Sequence, residues 1–170
     1  MKPMRHPFGP GFAARFAAVK NPFVRVRHFR GHGVHSPFVY RLVREVFMRS
    51  ELLPGDRALY CALTAHGVPE RRAVQLQNLA IHAGYGTFGL NRAEGAFRIV
   101  LRDFPNADLS ALVRQAAAEG ATVAVLDPYG GRERWAACRR IVALHGSTSV
   151  DNRAYLLLFN NRLPKQHFIL

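Results

Sequence analysis

Cysteine is scarce. The 170 residues contain two, Cys61 and Cys138, and both fall in stretches of helical periodicity. That argues against a disulfide scaffold and against a zinc site ligated by cysteine. Long apolar runs are absent beyond the N-terminal region. The longest strictly apolar run there covers residues 154–159, whereas a membrane-spanning helix needs about 20 residues. The basic start leads into no apolar h-region, so no secretory signal is expected and the expected setting is the reduced cytoplasm. Acidic residues are few, 11 against 24 cations. Lysine is nearly missing: Lys2, Lys20 and Lys165 are the only three, so 21 of the cations are arginine.

What is present is enough for a folded domain. The chain is 49% hydrophobic, 21% charged and 11% aromatic, which argues against wholesale disorder. A chain of this length buries roughly 70% of its unfolded surface and needs no covalent staple. The net charge of +13 is uneven. Residues 1–50 hold ten cations and one anion, Glu45; the other 120 hold fourteen and ten. Such a field attracts polyanions: RNA, DNA, anionic lipid or an acidic protein. The alternative is a solvated basic face, and no known reading motif accompanies the charge.

Residues 1–35 read as a basic arm. Pro3, Pro7, Pro10 and Pro22 break it, as do Gly9, Gly11, Gly31 and Gly33. A short helix is expected over residues 12–19, with Phe12 and Phe16 on one face. Those rings would dock on the protein's own core or rest on a membrane or RNA. Arg15, Lys20, Arg25, Arg27 and Arg30 are the candidate polyanion contacts. His28, His32 and His35 have a spacing that would share a metal on a helix, but Gly31 and Gly33 oppose a helix there, so hydrogen bonding or capping is the expected role.

Ser36-Pro37 is a helix start, since serine caps well and proline suits the first helical position. Phe38, Val39, Leu42, Val43, Val46 and Phe47 make one broad apolar face. Further helices are expected over residues 56–66, capped by Asp56 and stopped by Gly67, and from after Pro69 to Ala83, ended by Gly84. Beyond that, residues 97–101 and 122–126 read as buried strands. Residues 108–119 and 132–145 read as helices, the second with Trp135, Cys138, Ile141 and Val142 inward. Residues 148–150, 154–159 and 166–170 read as β, with Asn160-Asn161 as the turn between the last two. The expected order is β-α-β-α-β-β: an α/β fold with a small, partial Rossmann-like three-layer sheet, mostly parallel, closing on an antiparallel hairpin and preceded by a helical region. The expected organisation is an arm over 1–35, helices over 36–94 and the sheet over 95–170, with 36–170 forming one compact domain.

The segment Gly31-His32-Gly33-Val34-His35-Ser36-Pro37-Phe38 resembles the N-terminal signature of a bacterial group of class I S-adenosylmethionine-dependent methyltransferase-like proteins. The C-terminal third is similar in pattern: a buried strand over 120–126, a helix with an early Trp135, and a long hairpin ending in Lys165-Gln166-His167-Phe168. The resemblance implies a Rossmann-like sheet and, in a complete member, S-adenosylmethionine as cofactor. It fails in the middle. The first half of such a sheet needs a strand, a helix and another strand, at least about 30 residues, and only seven residues lie between Gly89 and Phe97. The chain thus looks like a truncated, degenerate member that binds rather than catalyses. The alternatives are an active methyltransferase, compact or completed by a partner chain, and an assembly subunit that self-pairs through an uncovered edge at residues 97–101.

Gly84, Gly86 and Gly89 spell G-x-G-x-x-G, with Asp103 nineteen residues after Gly84, near the spacing of a ribose-binding acid. A working phosphate turn must leave a strand and open a helix, whereas the residues before Gly84 have helical periodicity. These glycines, Asp103 and Asp127 are the candidate cofactor contacts. Asp127 follows a strand, where ligands gather in open α/β sheets; its other expected role is to cap the next helix or pair with Arg132 or Arg134. The resemblance implies an acidic pair there, but the second acid is replaced by Pro128. No catalytic nucleophile site is evident around His145 and Ser147–Ser149, and Trp135 is expected in the core rather than as a stacking platform.

Overall fold

The Ser36 hydroxyl accepts a hydrogen bond from the Val39 amide at 3.4 Å, capping the first helix as its sequence predicts. The computed structural model describes residues 36–170. The arm, with its expected helix over 12–19 and the candidates Arg15, Lys20, Arg25, Arg27, Arg30, Gly31, His32, Gly33 and His35, lies outside the described residues.

Helix α1 (Pro37–Leu42) widens into one π-helical turn (Val43–Phe47), in which the Met48 amide reaches back to the Val43 carbonyl. Helix α2 is Ala58–Ala65. The Asp56 carboxylate accepts from the Ala58 amide, and Gly67 follows at φ +72°. Helix α3 (Glu70–Ala83) starts after Pro69 and ends at Gly84, which takes φ +71°. Left-handed backbone carries no Cβ penalty at glycine, hence the stop there.

The sheet has six strands: β1 (Phe88–Leu90), β2 (Phe97–Val100), β3 (Thr122–Leu126), β4 (Ser149–Asp151), β5 (Tyr155–Leu158) and β6 (His167–Ile169). Helix α4 (Asn106–Ala118) joins β2 to β3, and α5 (Arg132–Leu144) joins β3 to β4. The spatial order is β1-β2-β3-β5-β4-β6. Strands β1, β2 and β3 are parallel neighbours, β5 runs antiparallel between β3 and β4, and β6 is parallel to β4. The fold is therefore α/β, a mixed, mostly parallel sheet with antiparallel pairing near the C-terminus and helices before and between its strands.

Two cores flank the sheet. On one face α1, the π turn, α2 and α3 pack Val39, Leu42, Phe47, Leu63, Leu76 and Leu79 on Phe97, Ile99, Leu157 and Phe159. On the other, Leu109, Leu112, Ala116, Cys138 and Ile141 of α4 and α5 meet Val100, Val123, Val125 and Leu158. Alternate residues of β2 and β3 enter opposite cores, as a sheet covered on both faces requires.

Several expectations need correction. The strand not anticipated is β1, which precedes β2; the three β stretches read at 148–150, 154–159 and 166–170 are β4, β5 and β6, one strand more than the order β-α-β-α-β-β counts. Residues 97–101 are not an edge, because β1 pairs along β2 from Phe88↔Phe97 to Leu90↔Ile99. The hairpin joins β4 to β5 rather than turning at Asn160-Asn161. Its turn is made by Asn152, whose side chain accepts from the Ala154 and Tyr155 amides, and by Arg153 at φ +67°. Asn161 instead anchors the link to the edge strand β6, accepting from Ser147 Oγ at 2.6 Å.

The polar face of α3 is also buried, which an apolar-periodicity reading does not anticipate. Gln75 Nε2 donates to the Phe47 carbonyl at the end of the π turn, and Gln75 Oε1 accepts from the Tyr155 hydroxyl. Asn78 holds the link after α1 through the Leu53 amide and the Glu51 carbonyl, both at 2.8 Å. No helix among the described residues is long and apolar enough to cross a membrane.

Candidate functional site

A helix, not a strand, enters the glycine motif. Gly84 closes α3, Gly86 sits in the extended link with open space where a side chain would be, and Gly89 is the middle residue of β1. The polarity is the reverse of a phosphate-binding turn, in which amides at a helix start face the ligand. The third glycine answers to packing. A Cβ on Gly89 would lie 2.5 Å from the Glu94 carbonyl oxygen, and one on Gly95 would lie 2.9 Å from the Phe88 carbonyl carbon.

These close approaches arise because β1 and β2 are parallel yet joined by only residues 91–96. Parallel neighbours ordinarily need a crossover of a dozen or more residues. The chain manages the return with Asn91 at φ +54° and Gly95 at φ +86°, and by laying the loop directly on β1. Arg98, on the same face as its register partner Gly89, ties the loop down. Its Nε donates to the Gly95 carbonyl, and its guanidinium pairs with Glu119. Gln115 and Arg98 hold the Glu119 carboxyl below its usual range.

At the carboxyl ends of the strands the crevice is filled from within. Asn91 donates to Asp103 at 3.0 Å and accepts from the Leu101 amide at 2.8 Å. Asp103 thus stands at the carboxyl end of the sheet, opposite the end at which Gly84 enters. Arg134 is buried beneath α5. It donates to the Leu101, Phe104 and Leu126 carbonyls and to Asn106 Oδ1, with its best contact at 2.8 Å. Burial lowers its pKa, but carbonyl acceptors surround the cation. Cys138, Ile141 and Val142 of α5 face the core as expected, joined by Arg134 and Ala137; the correction is Trp135, which faces out. Burial also pushes the Cys138 thiol up to about 11, so it remains protonated.

Asp127 sits at φ +50°, a left-handed backbone that aspartate tolerates, and ends β3. It caps no helix and pairs with neither Arg132 nor Arg134. Its carboxylate lies 3.6 Å from the exposed Arg102, and Gly130 leaves space for it, since a Cβ there would fall 2.9 Å from Asp127 Oδ2. Asp103 and Asp127 do share this end of the sheet, around Arg102 and Arg134. A cleft of about 310 Å³ opens beside them, lined by Arg102, Asn106, Gly130, Gly131, Arg132, Glu133 and Arg134.

Next to the cleft the Tyr129 and Trp135 rings stack with centroids 4.6 Å apart and planes 28° from parallel. The Tyr129 hydroxyl donates to the buried Asp151 carboxylate, which also accepts from the Arg153 amide at 2.7 Å. Burial and the Asp151 charge raise the Tyr129 pKa, so the hydroxyl stays a donor. The rings remain 43% and 37% exposed, and the Arg139 guanidinium lies 5.9 Å from the Trp135 ring centre. Sequence reading missed this pair. The one available signal was the 3-3-4 spacing of Tyr129, Arg132, Trp135 and Arg139, which leads onto one face of the helix. No group of three His, Cys, Asp or Glu among the described residues is arranged to hold a metal.

No known protein family, curated protein or solved structure matches the chain.

Proposed function

We propose that this chain is a methyltransferase-like protein without the nucleoside-binding half of such a fold, and that it acts by binding nucleic acid through its arginine-rich N-terminal segment. The observation that carries the reading is the six-residue connection between the parallel strands β1 and β2. A strand-helix-strand unit needs about 30 residues or more, and residues 91–96 leave no room for one. The loop that replaces it packs onto β1, and Asn91 and Arg134 occupy the carboxyl-end crevice where such sheets take their ligands. The charge supports a polyanionic partner: ten cations against one anion in residues 1–50.

The test is binding of a fluorescent oligonucleotide by the full chain across a salt series. Affinity should fall linearly on log–log axes, by roughly 0.9 per neutralised phosphate on duplex and 0.7 on single strands. Deleting residues 1–30 removes seven cations and should abolish tight binding. Undiminished binding by the shortened chain rules out the N-terminal contact. Calorimetry with S-adenosylmethionine addresses the enzymatic alternative: a saturable heat that Gly86→Val eliminates would replace this reading with a compact methyltransferase.

A further inference from the structure

We propose that Tyr129 and Trp135 form a stacking platform for an unpaired base of a single-stranded nucleic acid, with its phosphates held by Arg132 and Arg102 at the adjoining cleft and by Arg139 beyond. The proposal rests on the nucleic-acid reading above and adds a second site and a strand preference to it. Four observations converge. First, two aromatic rings stay more than a third exposed at the end of a sheet whose other large side chains are mostly buried. Second, the pair is built rather than incidental. The Tyr129 hydroxyl is anchored on buried Asp151, and the Trp135 ring is stacked on Tyr129, so little side-chain freedom remains to be lost on binding.

Third, cations bracket the rings. Arg132 and Arg139 lie one turn either side of Trp135 on α5, about 10 Å apart along the helix axis. Among the described residues neither has a carboxylate within ion-pair distance. The acids at this end include Asp103, held by Asn91; Asp127, beside Arg102; Glu133, on the cleft wall; and Asp151, buried and bonded to the Tyr129 hydroxyl. Fourth, the adjoining cleft is about 310 Å³, and Gly131 at the start of α5 has open space where a side chain would be, so a phosphate can approach the backbone there. Exposed aromatic faces interleaved with arginine complement bases interleaved with phosphates, and only an unpaired base presents a free face.

Trp135 is the sole tryptophan, so tryptophan emission, excited selectively over the tyrosines, reports this platform. Titrating the full chain with oligo(dT) should quench the emission, and an abasic oligomer of equal charge should not. Trp135→Ala should weaken oligo(dT) binding roughly 5- to 150-fold, the range for one lost base stack, and leave duplex binding unchanged; Trp135→Phe should restore most of it. Salt-dependent oligonucleotide binding with no quenching and no Trp135→Ala effect removes the platform while leaving the N-terminal reading intact. Absence of any nucleic-acid binding removes both. Equal quenching by polyglutamate removes the platform in favour of an acidic-protein contact.

Discussion

Alanine substitution of the four glycines around β1 separates two uses of the same motif. If the glycines serve the short return between β1 and β2, the costs follow from backbone and space. At Gly86 nothing lies within 4 Å of a new Cβ and the backbone is not left-handed. Gly86→Ala should then stabilise by about 0.4–1 kcal/mol, by restricting the unfolded chain. At Gly84 space is open but φ is +71°, so the left-handed penalty costs about 1–2 kcal/mol. At Gly89 the new Cβ meets a main-chain oxygen at 2.5 Å. That oxygen belongs to the packed loop and cannot swing away like a side-chain tip, so overpacking costs about 1–3 kcal/mol. Gly95 combines both problems: φ +86° and contacts of 2.9–3.1 Å with the β1 backbone, together about 2–5 kcal/mol. Urea denaturation reads the series directly, since about 2 kcal/mol moves the midpoint by roughly 1 M at a slope near 2 kcal/mol/M. The expected order of midpoints is Gly86→Ala, wild type, Gly84→Ala, Gly89→Ala, Gly95→Ala. A Gly86→Ala variant as unstable as Gly95→Ala would refute the packing argument. Unchanged stability with lost nucleotide binding at Gly86 would show that the motif is a phosphate turn after all.

Two further perturbations probe the carboxyl and amino ends of the sheet. Arg134→Met should cost about 1–3 kcal/mol in the same denaturation assay, because it removes the guanidinium donors from the buried Leu126 carbonyl and leaves the Leu101 carbonyl only the Phe104 amide; Arg134→Lys should recover only part, since an ammonium cannot reproduce the planar fork. An Arg134→Met protein as stable as wild type would mean that the guanidinium does not hold β2 to β3. His145 is buried with Nε2 at 3.0 Å from the Phe159 carbonyl, and burial lowers its pKa. The unfolded chain therefore takes up this proton first as pH falls below about 6.5, so stability is full above that value and declines on acidification. The midpoint should drop between pH 7.5 and 5.5, and His145→Gln should flatten the slope. His167, also shifted downward by burial, supplies the remainder. A slope unaltered by His145→Gln would place the titrating group elsewhere.

The helices were legible because their ends carry chemistry that acts locally. Ser36 caps, Pro69 precedes α3 and Gly84 stops it, and none of these needs a distant partner. Strand β1 was hidden because Phe88-Gly89-Leu90 has no alternation and a glycine at its centre; it is a strand only because β2 lies beside it. The hairpin was misplaced because Asn160-Asn161 has the composition of a turn, whereas the true turn sets an arginine, Arg153, in left-handed backbone. Apolar periodicity placed Cys138, Ile141 and Val142 of α5 on the core but put Trp135 with them and left Arg134 out, as it ranks tryptophan above arginine for burial. It has no means of knowing that several oxygen acceptors wait for Arg134. Asp127 was located correctly at a strand end, and Asp103 was not near Gly84, because a sequence spacing of nineteen does not say at which end of a sheet each residue emerges.

These errors share a cause that bears on function. In an open α/β sheet the crevice at the carboxyl ends is useful because backbone groups there are left for a ligand. In this chain the Leu101 and Leu126 carbonyls are taken by Arg134, and the Leu101 amide is taken by Asn91. A ligand entering that crevice would have to displace a buried cation from its acceptors, or an asparagine with two hydrogen bonds, and leave their partners unpaired at about 1–3 kcal/mol each. The exposed groups at this end lie outside the crevice: Arg132, Arg102 beside Asp127, and the stacked Tyr129–Trp135 pair with Arg139 over the indole. Groups of that kind do not enclose a small molecule. They suit a charged partner that makes many shallow contacts, in keeping with the nucleic-acid binding proposed for the arginine-rich N-terminal segment.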